Sequence, residues 1–351
     1  MAQNILAALG MVAAGIPMML FAMSMGFKAV PTALGFLIGI AGMLAFGSII
    51  PISIQAGTIG VVGALGKSPK ERLSMALFAG LIMVVFGGLG VVHNIIDFAG
   101  ERVVRGMQAG VGVILAKVAI GMIKEHKFVG IVSLVVALIL WLLTTDLVYV
   151  TAASVVASCI AFYIKNKGPM DIQADKYKWE IHKPFFNGNV VRGTLALICL
   201  MIGSNIAFGN VVAGMAGVQA NIDHLTIYSG LANLSALFGG APVEVIASAT
   251  GAAPSPMASG IILMAVMAAI LLAGLLPKIA RYVPSASVAG TLFVIGAFMT
   301  TPGNAFAAFN GAERAEFLGA GMAFLLTAIV DPFVGLVAGT IIRLITPIFG
   351  L

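Results

Sequence analysis

The chain has 351 residues, 60% of them hydrophobic and 9% charged, with a mean hydropathy of +1.11. A soluble chain carries about 25% charged residues, so 19 Lys and Arg with 13 Asp and Glu cannot cover a water-exposed surface of this size. Disorder is excluded by the apolar content, and a disulfide scaffold by the presence of only two cysteines, Cys159 and Cys199. What remains is an all-α polytopic membrane protein. The 43 glycines suit it, because Gly is more frequent in membrane helices than in soluble ones. The net charge of +6 comes largely from inter-helix loops, where basic residues set topology rather than bind nucleic acid. No cleavable signal peptide is expected, since MAQNILAALG lacks a basic leader.

A membrane helix needs about 20 apolar residues. Runs bounded by charge, Pro and Gly predict spans near 4–26, 30–50, 72–92, 103–123, 128–143 and 145–164. A polar stretch follows, placed as a connecting loop over 165–189. Further runs lie near 190–216, 226–238, 256–277, 284–301, 314–330 and 333–350. Two pieces, 51–66 and 239–252, are too short and too rich in Gly, Pro and small polar residues for a full helix. Counting both gives about 14 segments, seven in 1–164 and seven in 190–351.

The two short pieces are each third in their set. PISIQAGTIG (51–60) can be laid on PVEVIASATG (242–251), proline on proline. An odd number of spans per half makes the second half enter the membrane from the opposite side, so the pattern predicts 7+7 inverted repeats. Segments 3 and 10 should each be broken into a short strand plus a half-helix. Interrupted segments at matching places are a pointer to a carrier's binding site. Their unpaired backbone groups are tolerable only where they line a cavity, and half-helix N-termini offer free donors. The plain alternative is a Gly-rich packing contact.

Several of these stretches carry a resemblance. GGAPVEVIASATG, VVRGMQAGVGVILAKVAIG and YVPSASVAGTLFVIGAFM are similar to the tenth, fifth and twelfth segments of the xanthine/uracil (nucleobase–cation symporter, nucleobase–ascorbate) permeases. The likeness is nearest the hypoxanthine/guanine subgroup, and sulfate-permease relatives share the fold. The resemblance implies a core domain of about 1–92 plus 190–277 and a gate domain of about 93–164 plus 278–351. Substrate would sit between segments 3 and 10, beside segments 1 and 8, and the core would move against the gate. The resemblance also implies symport of a nucleobase such as a purine with H+ or Na+, no other cofactor, and dimerisation through the gate. A bacterial inner (plasma) membrane is the expected location. The sequence departs from the family where carboxylates are usual. Ser204 and Asn205 in MIGSNIAFGN occupy the acidic place of segment 8, and Ser248 that of segment 10. An anion transporter of the same fold is therefore the first alternative, and a channel or a non-transporting subunit the second.

Ionisable groups inside a membrane are functional candidates by default. Glu244, two residues after Pro242, leads. It is expected to carry proton or ion coupling, against a plain role as a helix-start acid. Gln55, Thr58, Ser204, Asn205 and Ser248 join it as expected substrate-binding residues, offering donors and acceptors without charge. Asp331 and Asp146 read as turn and helix-start acids. Lys117, mid-span, either snorkels or faces a cavity. His93, His126, His182 and His224 lack metal-ligand spacing, and no phosphate-binding GxxxxGK[ST] loop or catalytic constellation occurs, so an enzyme is disfavoured.

Topology is read two ways. Lys28, Lys67, Lys70, Arg72, Lys124, Lys127, the basic residues of 165–192, Lys278 and Arg281 fall in alternate loops. The positive-inside rule places that set in the cytoplasm and both termini outside, whereas the family resemblance implies cytoplasmic termini. A reporter active only in the cytoplasm, fused after Lys176, separates them: activity supports the charge rule, silence the family topology.

Overall fold

The computed structural model describes residues 1–166, 168, 180–330 and 332–349. Residues 167 and 169–179 of the expected 165–189 loop, and Asp331, lie outside the described residues. The chain is a helical integral membrane protein, with nine described helices long and apolar enough to cross a bilayer. Its first half contains α1 (Ala2–Ser24), α2 (Ala29–Phe46), β1 (Ile52–Ser53), α3 (Ala56–Leu65), α4 (Pro69–Gly88), α5 (Val91–Ala99), α6 (Glu101–Glu125), α7 (Lys127–Thr144) and α8 (Leu147–Asn166). The second half contains α9 (Gly188–Met215), α10 (Ile222–Ala232), β2 (Glu244–Val245), α11 (Pro256–Leu272), α12 (Leu276–Ala280), α13 (Ala289–Phe293), α14 (Thr301–Phe309), α15 (Arg314–Ile329) and α16 (Pro332–Ile345). Segment 3 is β1 with α3, and segment 12 runs through α13, a π-helical turn at Val294–Thr300 and α14. The short amphipathic α5, which the span pattern did not single out, links segments 4 and 5.

The two broken segments meet. β1 and β2 pair antiparallel, Ile52 opposite Val245 and Ser53 opposite Glu244. Ser53 and Glu244 are also equivalent when PISIQ is laid on PVEVI. Equivalent residues facing one another place the local two-fold axis of the repeats through this pair.

A two-residue ladder satisfies few backbone groups, and hydrocarbon supplies no others. Side chains complete the set. The Asn233 amide donates to Val243 O (3.0 Å) and accepts from Val243 N (3.1 Å), replacing a neighbouring strand. Tyr228 Oη donates to Ile50 O (2.6 Å), and Gln55 Nε2 donates to Val245 O (2.6 Å). Ala241 N donates to Thr32 Oγ1 (2.8 Å).

One face of α2 is shaped for this ribbon. A Cβ built on Gly39 would lie 2.6 Å from Ile52 Cδ1, one on Gly35 2.8 Å from Val243 Cγ2, and one on Gly42 would collide with Tyr228. Three glycines thus let the ribbon and α10 reach the helix backbone.

In segment 10 the helical part is a single 3₁₀ turn, Ala249–Ala252, where α3 has ten residues. Pro254 and Pro256 follow closely, and each lacks an N–H and disfavours helix in the residue before it. Ser68 caps α4 by accepting from Glu71 N (3.3 Å), and Glu71 accepts from Lys67 N and from Asn187 Nδ2 (both 2.8 Å). That network ties the start of segment 4 to the start of segment 8. Asp146 accepts from Val148 N (2.8 Å) as the helix-start acid expected of it. Lys117 is exposed on the outside of α6, which matches snorkelling rather than a cavity role.

Gly39→Val is expected to overpack Ile52 and cost about 1–3 kcal/mol, read as a lower unfolding midpoint in detergent. Gly88→Val, where a Cβ meets nothing within 4 Å, should leave the midpoint nearly unchanged.

Candidate functional site

A cavity of about 170 Å³ lies beside the crossed ribbon. On one wall are Ser53, Ile54 and Gln55 of segment 3, Ile246 and Ala247 of segment 10, Met11 and Met18 of α1, and Leu200, Ser204 and Phe208 of α9. Val111, Leu115 and Val118 of α6, Val288 and Leu292 of segment 12, and Pro332 form the other. The volume is close to the ~150 Å³ cavity that admits one benzene.

The local sequence explains the geometry. Both strands end at this level, so Gln55 and Ala247 bring irregular backbone to the cavity edge. Gln55 is the N-cap of α3 and its side chain makes no capping hydrogen bond. The first-turn N–H groups of α3 are consequently free of intrahelical partners, and Gly57 there lines the cavity without a side chain in the way. The polar side chains on the lining are Ser53, Gln55 and Ser204. Ser204 Oγ donates back to Leu200 O (2.8 Å), so its proton is already used within α9.

Of the six expected binding residues, Gln55 and Ser204 line the cavity. The other four sit behind it. Asn205 donates to Thr226 Oγ1 (3.1 Å) and Ser229 Oγ (3.4 Å), which ties α9 to α10. Ser248 bonds Thr250 Oγ1 (2.8 Å) and caps the 3₁₀ turn. Thr58 and Glu244 are buried, with exposures of 1% and 0%. The Thr58 hydroxyl, the Asn205 carbonyl oxygen and both Glu244 carboxylate oxygens have no hydrogen-bond partner among the described residues.

Glu244 nevertheless belongs to the cavity side of the ribbon. Ile52 and Val243 point to α2. Side chains directly opposite in an antiparallel pair share a face, so Glu244 lies on the face of Ser53, which lines the cavity. Helix α9 packs against both α3 and β2. The carboxylate is therefore held one layer behind the lining.

Two features escaped sequence reasoning. Ser53 was marked only indirectly, as the residue equivalent to Glu244. The α6 wall was hidden because an apolar stripe reads the same whether it packs against protein or lines a cavity. Its members recur every three or four residues (Val111, Leu115, Val118, Met122), the spacing of one helix face.

No family model matches the sequence, and no curated protein matches it. Solved structures do. The transmembrane domain of the cyanobacterial bicarbonate transporter BicA is similar at a TM-score of 0.64 and 17% identity, over 96% of this chain and 97% of that one. SLC26A9 gives a TM-score of 0.64 at 14% identity over 99% of this chain. The chain spans about two thirds of that protein, 65% of its length. The murine anion transporter Slc26a9, in its inward-facing state, gives 0.61 at 15% identity, over 100% of this chain and 69% of that one. At these identities the likeness shows the fold alone, and the 14-segment layout is the one the sequence led one to expect.

Ser204→Leu places a branched apolar side chain in the cavity and removes a hydroxyl. It should weaken ligand-dependent thermal stabilisation at least tenfold in apparent affinity across a panel of small anions and nucleobases. The ligand-free unfolding midpoint should change little.

Proposed function

We propose that the chain is a secondary active carrier of a small anion, bound in the cavity between segments 3 and 10 and moved by alternating access. One observation carries the reading: the cavity presents the open N-terminus of α3 and neutral polar side chains, with no carboxylate on its described lining. A helix N-terminus attracts negative charge and offers aligned N–H donors. The whole-chain likeness to a bicarbonate transporter and to an anion transporter supports the same substrate class. It favours the anion alternative over a purine, the substrate first suggested by the family resemblance. The volume favours a small solute as well.

In this reading 1–92 with 190–277 form the moving core and 93–164 with 278–351 the gate. The packing supports that division. Helices α2, α4, α10 and α11 pack chiefly on one another and α9, while α6 packs on α14 and α15 and α7 on α8; α1 packs on both α11 and α8, at the boundary of the two groups. The cavity lies where the two groups face each other, so a shift between them would change which side it opens to.

Glu244 is assigned the coupling ion. A buried carboxylate without a partner is costly, and protonation or a monovalent cation beside it would remove the cost. Thr58 and Asn205 offer further unpaired oxygens from α3 and α9. Binding a cation behind the site would also offset the charge of an anion in front of it.

Proteoliposome uptake tests the reading. Labelled bicarbonate or sulfate should accumulate against its gradient when an inward H+ or Na+ gradient is imposed, saturably, and hypoxanthine should not. Concentration of hypoxanthine alone would restore the nucleobase reading, and flux that never exceeds equilibrium would indicate a channel. Glu244→Gln should lower concentrative uptake at least tenfold while still inserting in the membrane. Full gradient-driven uptake by that variant removes Glu244 from the mechanism.

A further inference from the structure

The α6 stripe does not end at the central cavity. Arg105, Gln108, Val111, Leu115, Val118, Met122 and Glu125 recur at three- and four-residue steps along one helix face. At 1.5 Å per residue they cover about 30 Å, the thickness of the hydrocarbon core. They line three consecutive spaces. Val118, Met122 and Glu125 border an outer cavity with His126 and Ser285, on the side of the basic loops. Val111 to Met122 border the central cavity. Arg105 and Gln108 border a third, of about 270 Å³, on the side of the described N-terminus.

This third space is chemically unlike the central one. Besides Arg105 and Gln108 of α6 it is bordered by Asn210 of α9 and by Thr300 and Asn304 of segment 12. Few of these groups are used internally. The Thr300 hydroxyl is buried, on a residue 2% exposed, and has no partner among the described residues. The π-helical turn Val294–Thr300 accounts for that, since Thr301 rather than Thr300 donates to Gly296 O (2.8 Å). Gln108, also 2% exposed, makes no side-chain hydrogen bond to another described residue. Among the described residues Arg105 is engaged only at long range: 3.3 Å to Asn304 Oδ1 and 3.4 Å to Glu101 Oε1, a carboxylate on a side chain that is 81% exposed. Bonds of this kind normally close to about 2.7–2.9 Å.

We propose that Arg105, Gln108, Asn210 and Thr300 form a second anion site, a vestibule that holds a small oxyanion or carboxylate one helical turn outside the central cavity. The guanidinium supplies charge and a planar donor fork. Two amides and a hydroxyl supply neutral donors around it. Val111 and Phe208, next along α6 and α9, line the central cavity, so the vestibule lies one helical turn from it along α6. The vestibule's part in delivery rests on the carrier reading. Its occupancy by an anion does not.

The test uses the full chain in proteoliposomes, with Cys159 and Cys199 replaced by Ser and Gly214→Cys as the reporter, a position that borders the same space and where a Cβ meets nothing within 4 Å. Methanethiosulfonate reagents of similar size, one carrying a sulfonate and one a quaternary ammonium, are applied from both sides. The anionic reagent should react faster than the cationic one. Arg105→Gln should lower the ratio of the two rates about three- to tenfold, and Arg105→Lys should largely restore it. Bicarbonate or sulfate at millimolar concentration should slow modification when Arg105 is present and not in Arg105→Gln. Thr300→Val, which keeps the charge, should weaken that protection several-fold with the rate ratio unchanged, and it serves where Arg105→Gln does not insert. An unchanged ratio in Arg105→Gln, or no protection by either anion, overturns the proposal. Protection without uptake keeps the vestibule and removes the carrier reading, and uptake without protection does the reverse.

Discussion

Every backbone N–H and C=O that would otherwise face hydrocarbon must find a partner within the protein or line a cavity. Twelve of the fourteen segments meet that demand mainly through their own helices, and segments 3 and 10 cannot. Their solution organises the molecule. Each strand uses the other, and the remaining groups are taken by Asn233, Tyr228, Gln55 and Thr32. These side chains come from segments 2, 3 and 9, so the helices around the ribbon are held by its unmet hydrogen bonds. The glycine face of α2 is the steric counterpart, since such bonds form only at close approach. The cavity then arises where the ribbon stops and α3 begins.

Much of this arrangement was legible in the residues. The spans stood out because hydrocarbon demands long apolar runs and charge marks their ends. The two broken segments could be anticipated because two Pro-led, Gly-rich pieces occupied matching places. Their pairing could not, since laying one piece on the other makes Ser53 and Glu244 equivalent but does the same for Ile52 and Val243, and does not say which pair sits on the axis. The supporting cast was not legible. Tyr228 and Ile50 are 178 residues apart, and nothing in the local pattern of either names the other. Asn233 resembles any polar residue inside a span until its amide is seen completing a strand. Four of the expected binding residues were chosen as polar and near the right segments, but polarity does not say which layer a side chain occupies. Asn205 and Ser248 serve neighbouring backbone and helices, whereas Gln55 and Ser204 reach the cavity.

The two repeats are not equal partners. Segment 3 continues into a ten-residue half-helix and segment 10 into a single turn. Gln55 donates across the ribbon, and its equivalent in the second repeat, Ile246, has no side-chain donor to offer in return. The charge is unequal too, with Glu244 facing Ser53 across the local axis. One repeat thus offers the helix terminus and the other the carboxylate. A symmetric pair of half-helices would aim two like ends at the same space; here a single N-terminus faces the cavity and an acid lies behind it.

Helix α6 has two faces of opposite character. Gly106 and Gly110 bring it against the backbone of α15 at Ala320 and Phe324 so closely that a methyl group on either would clash. The other face carries the stripe that borders all three spaces. A helix fixed along one edge and left open along the other behaves as a rail. Side chains of α9 resting on that stripe sit between ridges repeated every turn, so resting positions of a sliding core would fall about 5.4 Å apart. In the proposed carrier, gating would then be a question of register, with stops at notches one helical turn apart.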